Sequence, residues 1–367
     1  MKSRLLTLLT AMTLFAALAI TAQGSGKCKI TTFDVPGAGT GAYQGTTTVG
    51  INAEGAIVGS YYDTNGVSHG FLRDRDGTIT TFDPKGSIST GVSGANEGGA
   101  ITGYYYDANN VGHGFLRNHK GRFTTFDGPG AGTGAGQGTF ASNINAAGTI
   151  TGTIIDANYV IHGIVRKRDG NITTFDAPGA GTGAFQGTWN VLFYALNPEG
   201  AYTSAFTDSN NVFHGFVRDP DGNITTFDAP GANTVAYQGT IAGSINPEWE
   251  IAGWYYDTNG VSHGFLRTPH GRFTTIDAPG AGTGTGQGTW NSSNNPAGAI
   301  VGYYADASNV YHGFLRDHHD HFTTFDAPGG GTGAGQGTFV AGNNLAGAIV
   351  GYYVDANNVY HGFLRDK

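Results

Sequence analysis

Seven histidines and seven aspartates recur in step along this chain, and an imidazole beside a carboxylate is a common starting point for acid–base or metal chemistry. The histidines are His69, His113, His162, His214, His263, His312 and His361, at steps of 44, 49, 52, 49, 49 and 49 residues. The aspartates, each ending a Thr-Thr-Phe-Asp-like segment, are Asp34, Asp83, Asp127, Asp176, Asp228, Asp277 and Asp326, at steps of 49, 44, 49, 52, 49 and 49. Counting back from the turn at 74–77 sets His69 across a hairpin from Phe82 or Asp83. Each histidine is therefore expected beside the aspartate of its own repeat, and His361 beside Asp34. Such a pair suits catalysis, metal binding, or a brace in which a carboxylate satisfies a half-buried imidazole. Seven equal copies favour the brace, because a catalytic constellation is one special geometry. No catalytic residue, metal site or cofactor is assigned.

Other repeated residues carry weaker chemical signals. The turns beginning at Asp63, Asp107, Asp156, Asp208, Asp257, Asp306 and Asp355 read Asp-x-Asn or similar, yet lack the further acidic ligands of a calcium loop. The tract His318-His319-Asp320-His321 lies in a tight turn, where neighbouring side chains rarely converge on one ion. The Gly-rich loops such as Pro36-Gly-Ala-Gly-Thr-Gly-Ala-Tyr-Gln44 lack the helix and lysine of a phosphate cradle. They do place Gln44, Gln137, Gln186, Gln238, Gln287 and Gln336 at equivalent positions, with Tyr43, Phe185, Trp189, Tyr237 and Trp290 nearby. A ring of amides and aromatics on one face is a candidate ligand surface for a glycan. The alternative is that each glutamine hydrogen-bonds neighbouring loop backbone.

Departures from the repeat are the places to look for specificity. Repeat two enters through Pro84-Lys-Gly-Ser-Ile-Ser-Thr-Gly91, five residues short and without the glutamine. Repeat four carries three extra residues within 189–195, read as a bulged first strand, and repeat five has Pro247-Glu-Trp-Glu-Ile251 in place of Asn-x-x-Gly.

The elements that position these residues follow from local pattern. Within 45–83, a Thr/Val-rich run, an Asn-x-x-Gly turn, the apolar run Ala56-Ile-Val-Gly-Ser-Tyr-Tyr-Asp63, an Asp-Thr-Asn-Gly turn, His69-Gly-Phe-Leu-Arg73, a second tight turn and Thr78-Ile-Thr-Thr-Phe-Asp83 read as four short strands joined by hairpins. One such sheet cannot bury both faces alone, and radial stacking solves that problem. The last repeat stops after its third strand at Arg365, while residues 30–34 form a fourth strand with no third before it. The expected fold is all-β: a seven-bladed β-propeller of four-stranded antiparallel blades, closed by the N-terminal strand completing blade seven.

Composition bounds the rest. A formal charge of −8 on 367 residues, with 13% charged residues, leaves no basic footprint for nucleic acid. Lys2 and Arg4 precede an apolar run over 5–20 and small residues up to Ala22, which reads as a signal peptide over 1–22 ahead of one domain over 23–367. Its removal brings the formal charge to about −10 and leaves no membrane span. Cys28 is the only cysteine, so no internal disulfide forms.

The stretch Gly50-Ile-Asn-Ala-Glu-Gly-Ala-Ile-Val-Gly59 followed by His69-Gly-Phe-Leu resembles the bacterial "probable extracellular repeat, HAF family", whose pattern is G-I-N-x-x-G-x-(V/I)-V-G followed by His-Ala-Phe. Here the second motif is His-Gly-Phe in six repeats and His162-Gly-Ile in one. The resemblance implies secretion and a repeated β-fold, and it brings no activity or catalytic residues with it. The expectation is a secreted, monomeric, non-enzymatic binding or surface-interaction module, extracellular, periplasmic or on the cell surface, whose partner is a protein or glycan. A lectin-like propeller is the alternative, and a glycosidase or lyase with an asymmetric site between blades two and four is the third reading.

Overall fold

Short apolar runs punctuated by Asx turns give this chain no helical periodicity. The computed structural model, which describes residues 28–189 and 194–367, holds strands and turns and no helix among those residues. Unit 1 consists of Gly45–Ile51, Ile57–Tyr62, Ser68–Arg73 and Ile79–Phe82, paired antiparallel in that order. Its turns are closed by side chains as well as backbone. Asp63 Oδ1 accepts from the amides of Asn65 and Val67, and Asn52 Oδ1 accepts from the amide of Ala56. The same pattern builds units 2 to 6 over 89–126, 138–175, 187–227, 240–276 and 288–325. In unit 7, the three strands Gly337–Asn343, Ile349–Val354 and Tyr360–Arg365 take Ile30–Phe33 as their fourth, with Ile30 opposite Arg365 and Phe33 opposite Gly362.

The units pack face to face, which buries what a lone sheet would expose. Val58 and Phe82 of unit 1 form one cluster with Val92, Ile101, Tyr105 and Phe115 of unit 2. The third-strand phenylalanines Phe71, Phe115, Phe216, Phe265, Phe314 and Phe363 are fully buried. The mid-strand glycine of the neighbouring strand makes room for each ring in most units. At Gly302, a Cβ would lie 2.1 Å from the Trp290 carbonyl oxygen and 2.8 Å from the Phe314 ring. Gly302→Ala is expected to cost about 1–3 kcal/mol. An unchanged urea midpoint would contradict this packing.

Three repeated contacts join neighbouring units. The arginine ending each third strand lies over the phenylalanine of the preceding unit's fourth strand, as in Arg117 over Phe82 (4.8 Å), Arg267 over Phe227 (4.5 Å) and Arg73 over Phe33 (4.9 Å). Unit 6 lacks the ring because Ile276 replaces it, and Arg316 pairs with Asp320 instead. A threonine hydroxyl of six first strands, such as Thr46, Thr139 or Thr289, accepts from the amide that follows the preceding unit's aspartate, while in unit 2, where Pro84 has no amide hydrogen, Thr90 donates to Asp83 instead. Finally, the Asn-x-x-Gly asparagines link through Nδ2 to the next unit's asparagine carbonyl: Asn52 to Asn96, Asn96 to Asn145, Asn145 to Asn197, Asn197 to Asn246, Asn295 to Asn344, and Asn344 back to Asn52. Asn246 departs from the pattern and donates to Glu250.

The backbone ladder is less continuous than these contacts. It divides into a 16-stranded and a 12-stranded sheet, which meet at units 4 and 5, where the isolated bridges Phe213–Gly239 and Tyr194–Ser244 cross, and at units 1 and 2, where no bridge is found among the described residues. Elsewhere a glycine opening each first strand bridges to the previous unit's third strand, as Gly45 does with Tyr360 and Gly138 with Gly112. Two sequence features lie wholly or partly outside the described residues: the leader over 1–22, and positions 190–193 of the repeat-four insertion. The described part of the first strand of unit 4 is short, Gly187–Thr188. In unit 5 the Asn-x-x-Gly turn keeps its shape without its glycine, because Trp249 takes the left-handed conformation (φ 63°) and Asn246 still closes the turn on Glu250. No helix among the described residues is long and apolar enough to cross a membrane.

Candidate functional site: the cleft between units 1 and 2

The histidines and aspartates meet as pairs in every unit. Nδ1 lies 2.7 Å from Asp83 in His69, 2.9 Å from Asp127 in His113, 2.9 Å from Asp176 in His162 and 3.0 Å from Asp228 in His214. The remaining distances are 3.0 Å for His263 and Asp277, 2.8 Å for His312 and Asp326, and 2.9 Å for His361 and Asp34. On its other side each Nε2 faces the aspartate of the Asp-x-Asn turn, 3.7 Å away in His69–Asp63. A ring from the second strand supports most of these imidazoles, Tyr61 stacking on His69 at 5.1 Å and Tyr353 on His361 at 4.8 Å. Sevenfold equivalence of a clamped imidazole describes a brace rather than a reactive centre. Among the described residues no group of three or more His, Cys, Asp or Glu is placed to hold a metal.

These clamps carry a pH signature. Hydrogen bonds from the Val67 and Asn65 amides hold Asp63 below its ordinary 3.8, and Val111 and Asn109 do the same for Asp107. The hydrogen bond to Asp228 raises His214 above its ordinary 6.5, against the effect of its burial. A lowered carboxylate stabilises the fold above its unfolded pKa and loses that contribution as pH falls. A raised histidine stabilises below its unfolded pKa and loses that contribution as pH rises through the folded value. The melting temperature is therefore expected to peak between about pH 4 and 6.5 and to fall on both sides. A melting temperature that climbs steadily from pH 5 to 8 would contradict the clamps.

The glutamines of the Gly-rich loops do not present free amides. Gln44 Oε1 accepts from the Gly41 amide, and its Nε2 donates to the Thr64 carbonyl in the Asp-x-Asn turn of its own unit. Gln137, Gln186, Gln287 and Gln336 make the same two kinds of bond, and Gln238 accepts from Asn233. Five of the six amides thus hold their loops onto a turn, and in the sixth loop Asn233 donates to the Asp257 carbonyl in place of Gln238. Tyr43, Phe185 and Tyr237 are exposed on those loops, each in the left-handed conformation. Trp189 donates from Nε1 to Thr207 Oγ1, while Trp290 is buried and stacked on Tyr303. The eleven residues of the candidate ligand face are therefore divided between loop bracing, exposed rings of which Tyr43 and Phe185 pack beside Tyr360 and Tyr159, the half-buried Trp189 and the buried Trp290.

The described structure opens elsewhere, where the repeat lapses. Register places Thr47 opposite Ser60, Gly91 opposite Tyr104, Phe140 opposite Thr153, Ile241 opposite Trp254, Trp290 opposite Tyr303 and Phe339 opposite Tyr352. At the junction of units 2 and 3, Phe140 packs on Tyr104 and Tyr106. At the junction of units 6 and 7, Phe339 packs on Tyr303 and Tyr311. Between units 1 and 2 the equivalent ring is missing, because unit 2 has Gly91 there, and unit 1 presents Ser60 and Ser68. The result is a cavity of 470 Å³ walled by Tyr62, Tyr104, Tyr106 and Tyr352 and floored by Thr47, Ser60, Ser68 and Thr90. The short entry loop of repeat two, which makes no Gln–Gly bridge to unit 1, leaves this junction without the strand pairing found at most others.

The cleft is neutral and rich in hydroxyls. None of the residues lining it is an acid, lysine, arginine or histidine. Burial raises the hydroxyls of Tyr104 and Tyr106 above their ordinary 10.0, so they stay protonated at physiological pH. Ser60 Oγ accepts from the Val92 amide, which leaves its own proton to donate. Hydrolysis of a glycosidic bond needs two carboxyl groups flanking the scissile oxygen, and this lining supplies none. Sequence reasoning missed the cleft, although lining up the repeats strand by strand would have exposed Gly91 as the one described residue at this position without a side chain.

No family model and no curated protein matches the chain. Among solved structures, puromycin hydrolase is similar with a TM-score of 0.54 at 12% identity, covering 86% of this chain and 51% of that one, so the chain spans about half of its length. The BP39L lectin from Burkholderia pseudomallei is similar with a TM-score of 0.51 at 10% identity, covering 86% of this chain and 96% of that one. A fungal lectin described as a six-bladed β-propeller gives a TM-score of 0.38 at 14% identity, covering 81% and 94%, too distant to bear on blade number. At these identities the likeness shows the fold alone, and that fold is a β-propeller.

Proposed function

We propose that the chain forms a closed seven-bladed propeller that is secreted and acts as a non-enzymatic binding module, with a neutral glycan as its ligand. Closure is supported by the pairing of Ile30–Phe33 with Tyr360–Arg365, by Arg73 over Phe33, and by the Asn344–Asn52 link. Secretion is supported by the sequence pattern of the leader and by the HAF-family resemblance.

The observation that carries the ligand assignment is the cleft between units 1 and 2, with four tyrosine rings, a hydroxyl floor and no charge. Aromatic faces stack on the apolar C–H faces of sugar rings, while hydroxyls and phenols exchange hydrogen bonds with their rims. Its volume lies within the range of small-molecule sites. A charged ligand would leave an uncompensated charge in a half-buried neutral site, which is costly. The test is an array of neutral and charged glycans probed with the purified protein. Hits among neutral glycans are expected, and binding confined to charged ones, or no binding at all, would overturn the assignment.

A further inference from the structure

A smaller chamber of 140 Å³ adjoins the cleft, with Thr48 and Tyr352 in both linings. The chamber's walls are stacked rings: Trp290 on Tyr303 (5.6 Å, 22°) and Phe339 on Tyr352 (5.1 Å, 9°). Trp254 of unit 5 completes the lining, and its Nε1–H is buried without an acceptor. A buried donor left unpaired costs about 1–3 kcal/mol, so the protein retains this group at a loss unless a ligand supplies the oxygen. Thr48 Oγ1, which borders both spaces, is buried and unpaired as well. A cavity of about 150 Å³ accommodates one benzene, so the chamber admits part of one sugar ring, which has about twice benzene's heavy atoms, and no second residue.

Tyr194 lines the opposite mouth, one residue along the first strands from the chamber. This residue leaves unit 4, bridges to Ser244 of unit 5, and accepts a hydrogen bond from the Ile51 amide of unit 1 at 3.0 Å. Its ring also covers Gly342 of unit 7, where an added Cβ would fall 2.2 Å from it. Unit 4 is thereby tied to units 7 and 1. The first strands line the chamber up to Thr48, Ser292 and Ala341, and line the opposite mouth from Val49, Ser293 and Asn343. The Tyr194 ring lies there against Gly50 and Gly342. Burial pushes its hydroxyl up to about 12, so it stays neutral.

A chain entering the chamber from the cleft therefore cannot run on beyond it. Resting on the glycan reading above, we propose that the chamber takes part of the terminal pyranose of a glycan, with Trp254 Nε1–H donating to a ring or hydroxyl oxygen. On this proposal the protein recognises chain ends and not chain interiors.

The experiment titrates neutral gluco-, manno-, xylo- and chito-oligosaccharides in three forms: both ends free, a bulky fluorophore on the reducing end, and a benzylidene cap on the non-reducing end. One of the two caps should weaken binding at least tenfold while the other is tolerated. Trp254→Phe, which removes the N–H together with the five-membered half of the indole, should weaken binding of free-ended oligosaccharides about tenfold in a protein whose folding is confirmed by circular dichroism. If oligosaccharides bind but both caps are tolerated, or Trp254→Phe binds as the parent does, the blind-end assignment is overturned and the glycan reading stands. If none binds, both fall together.

Discussion

A chain lacking residues 29–34 is expected to melt about 10 °C below the intact protein. The deletion removes the fourth strand of unit 7 and its four paired positions against Tyr360–Arg365. It also removes Asp34, the carboxylate partner of His361 Nδ1, and Phe33, whose ring fills the space above Gly362. Phe33 further packs on the cluster of Val35, Ile51, Ile57 and Phe71, and lies beneath the Arg73 guanidinium. Truncating a packed phenylalanine alone costs about 3–5 kcal/mol, and each kcal/mol moves the midpoint of a domain this large by about 1–2 °C. Phe33→Ala should reproduce roughly half of the loss. If the deletion melts like the parent, the strand does not hold the ring together.

Gly91→Phe is expected to weaken glycan binding on the order of 100-fold while leaving the fold intact, equivalent to about 2.7 kcal/mol of lost binding. The substitution copies what units 3 and 7 already have at this register position, Phe140 and Phe339. A Cβ at Gly91 would meet the Tyr104 ring at 2.6 Å, so that ring must shift. Unit 7 shows how two rings share these positions, since Phe339 stacks on Tyr352 at 5.1 Å and 9°. The added ring would occupy the cavity between Tyr62, Ser68 and Tyr104. Stability should hold or rise, because a void is filled. Wild-type affinity in a folded Gly91→Phe protein would remove the cleft from the account.

These two expectations mark how far the sequence could be read. The strands, turns and cut repeat were legible because each rests on local chemistry: Asp63 and Asn65 make a turn wherever they stand, and a fourth strand without a third must find one elsewhere. The His–Asp pairing was legible for the same reason, since hairpin register is set by the turn between the strands. The role of the glutamines was harder. Gln44 and its counterparts stand beside glycines and aromatics, as ligand-binding residues do, and only the folded loop shows each amide already engaged with Gly41 and Thr64. The asparagine of each Asn-x-x-Gly turn was read as turn chemistry alone, while its Nδ2 also reaches a carbonyl about 44 to 52 residues away along the chain.

The cleft was the least legible feature, because a space is made by what neighbouring residues lack. Gly91 looks like one glycine among 63 until register sets it beside the rings of other units. Tyr194 gave no signal either, as its contacts with Ile51, Gly50 and Gly342 join unit 4 to units 1 and 7, far apart in the chain. Regularity in this protein builds the frame, and the lapse between units 1 and 2 makes the opening.

The most direct test of this account is a crystal structure of the protein with the neutral oligosaccharide that binds best. The account predicts sugar density between Tyr62, Tyr104 and Tyr352, at the junction of units 1 and 2 and at no other junction. Density over the glutamine loops, or repeated at every junction, would contradict it.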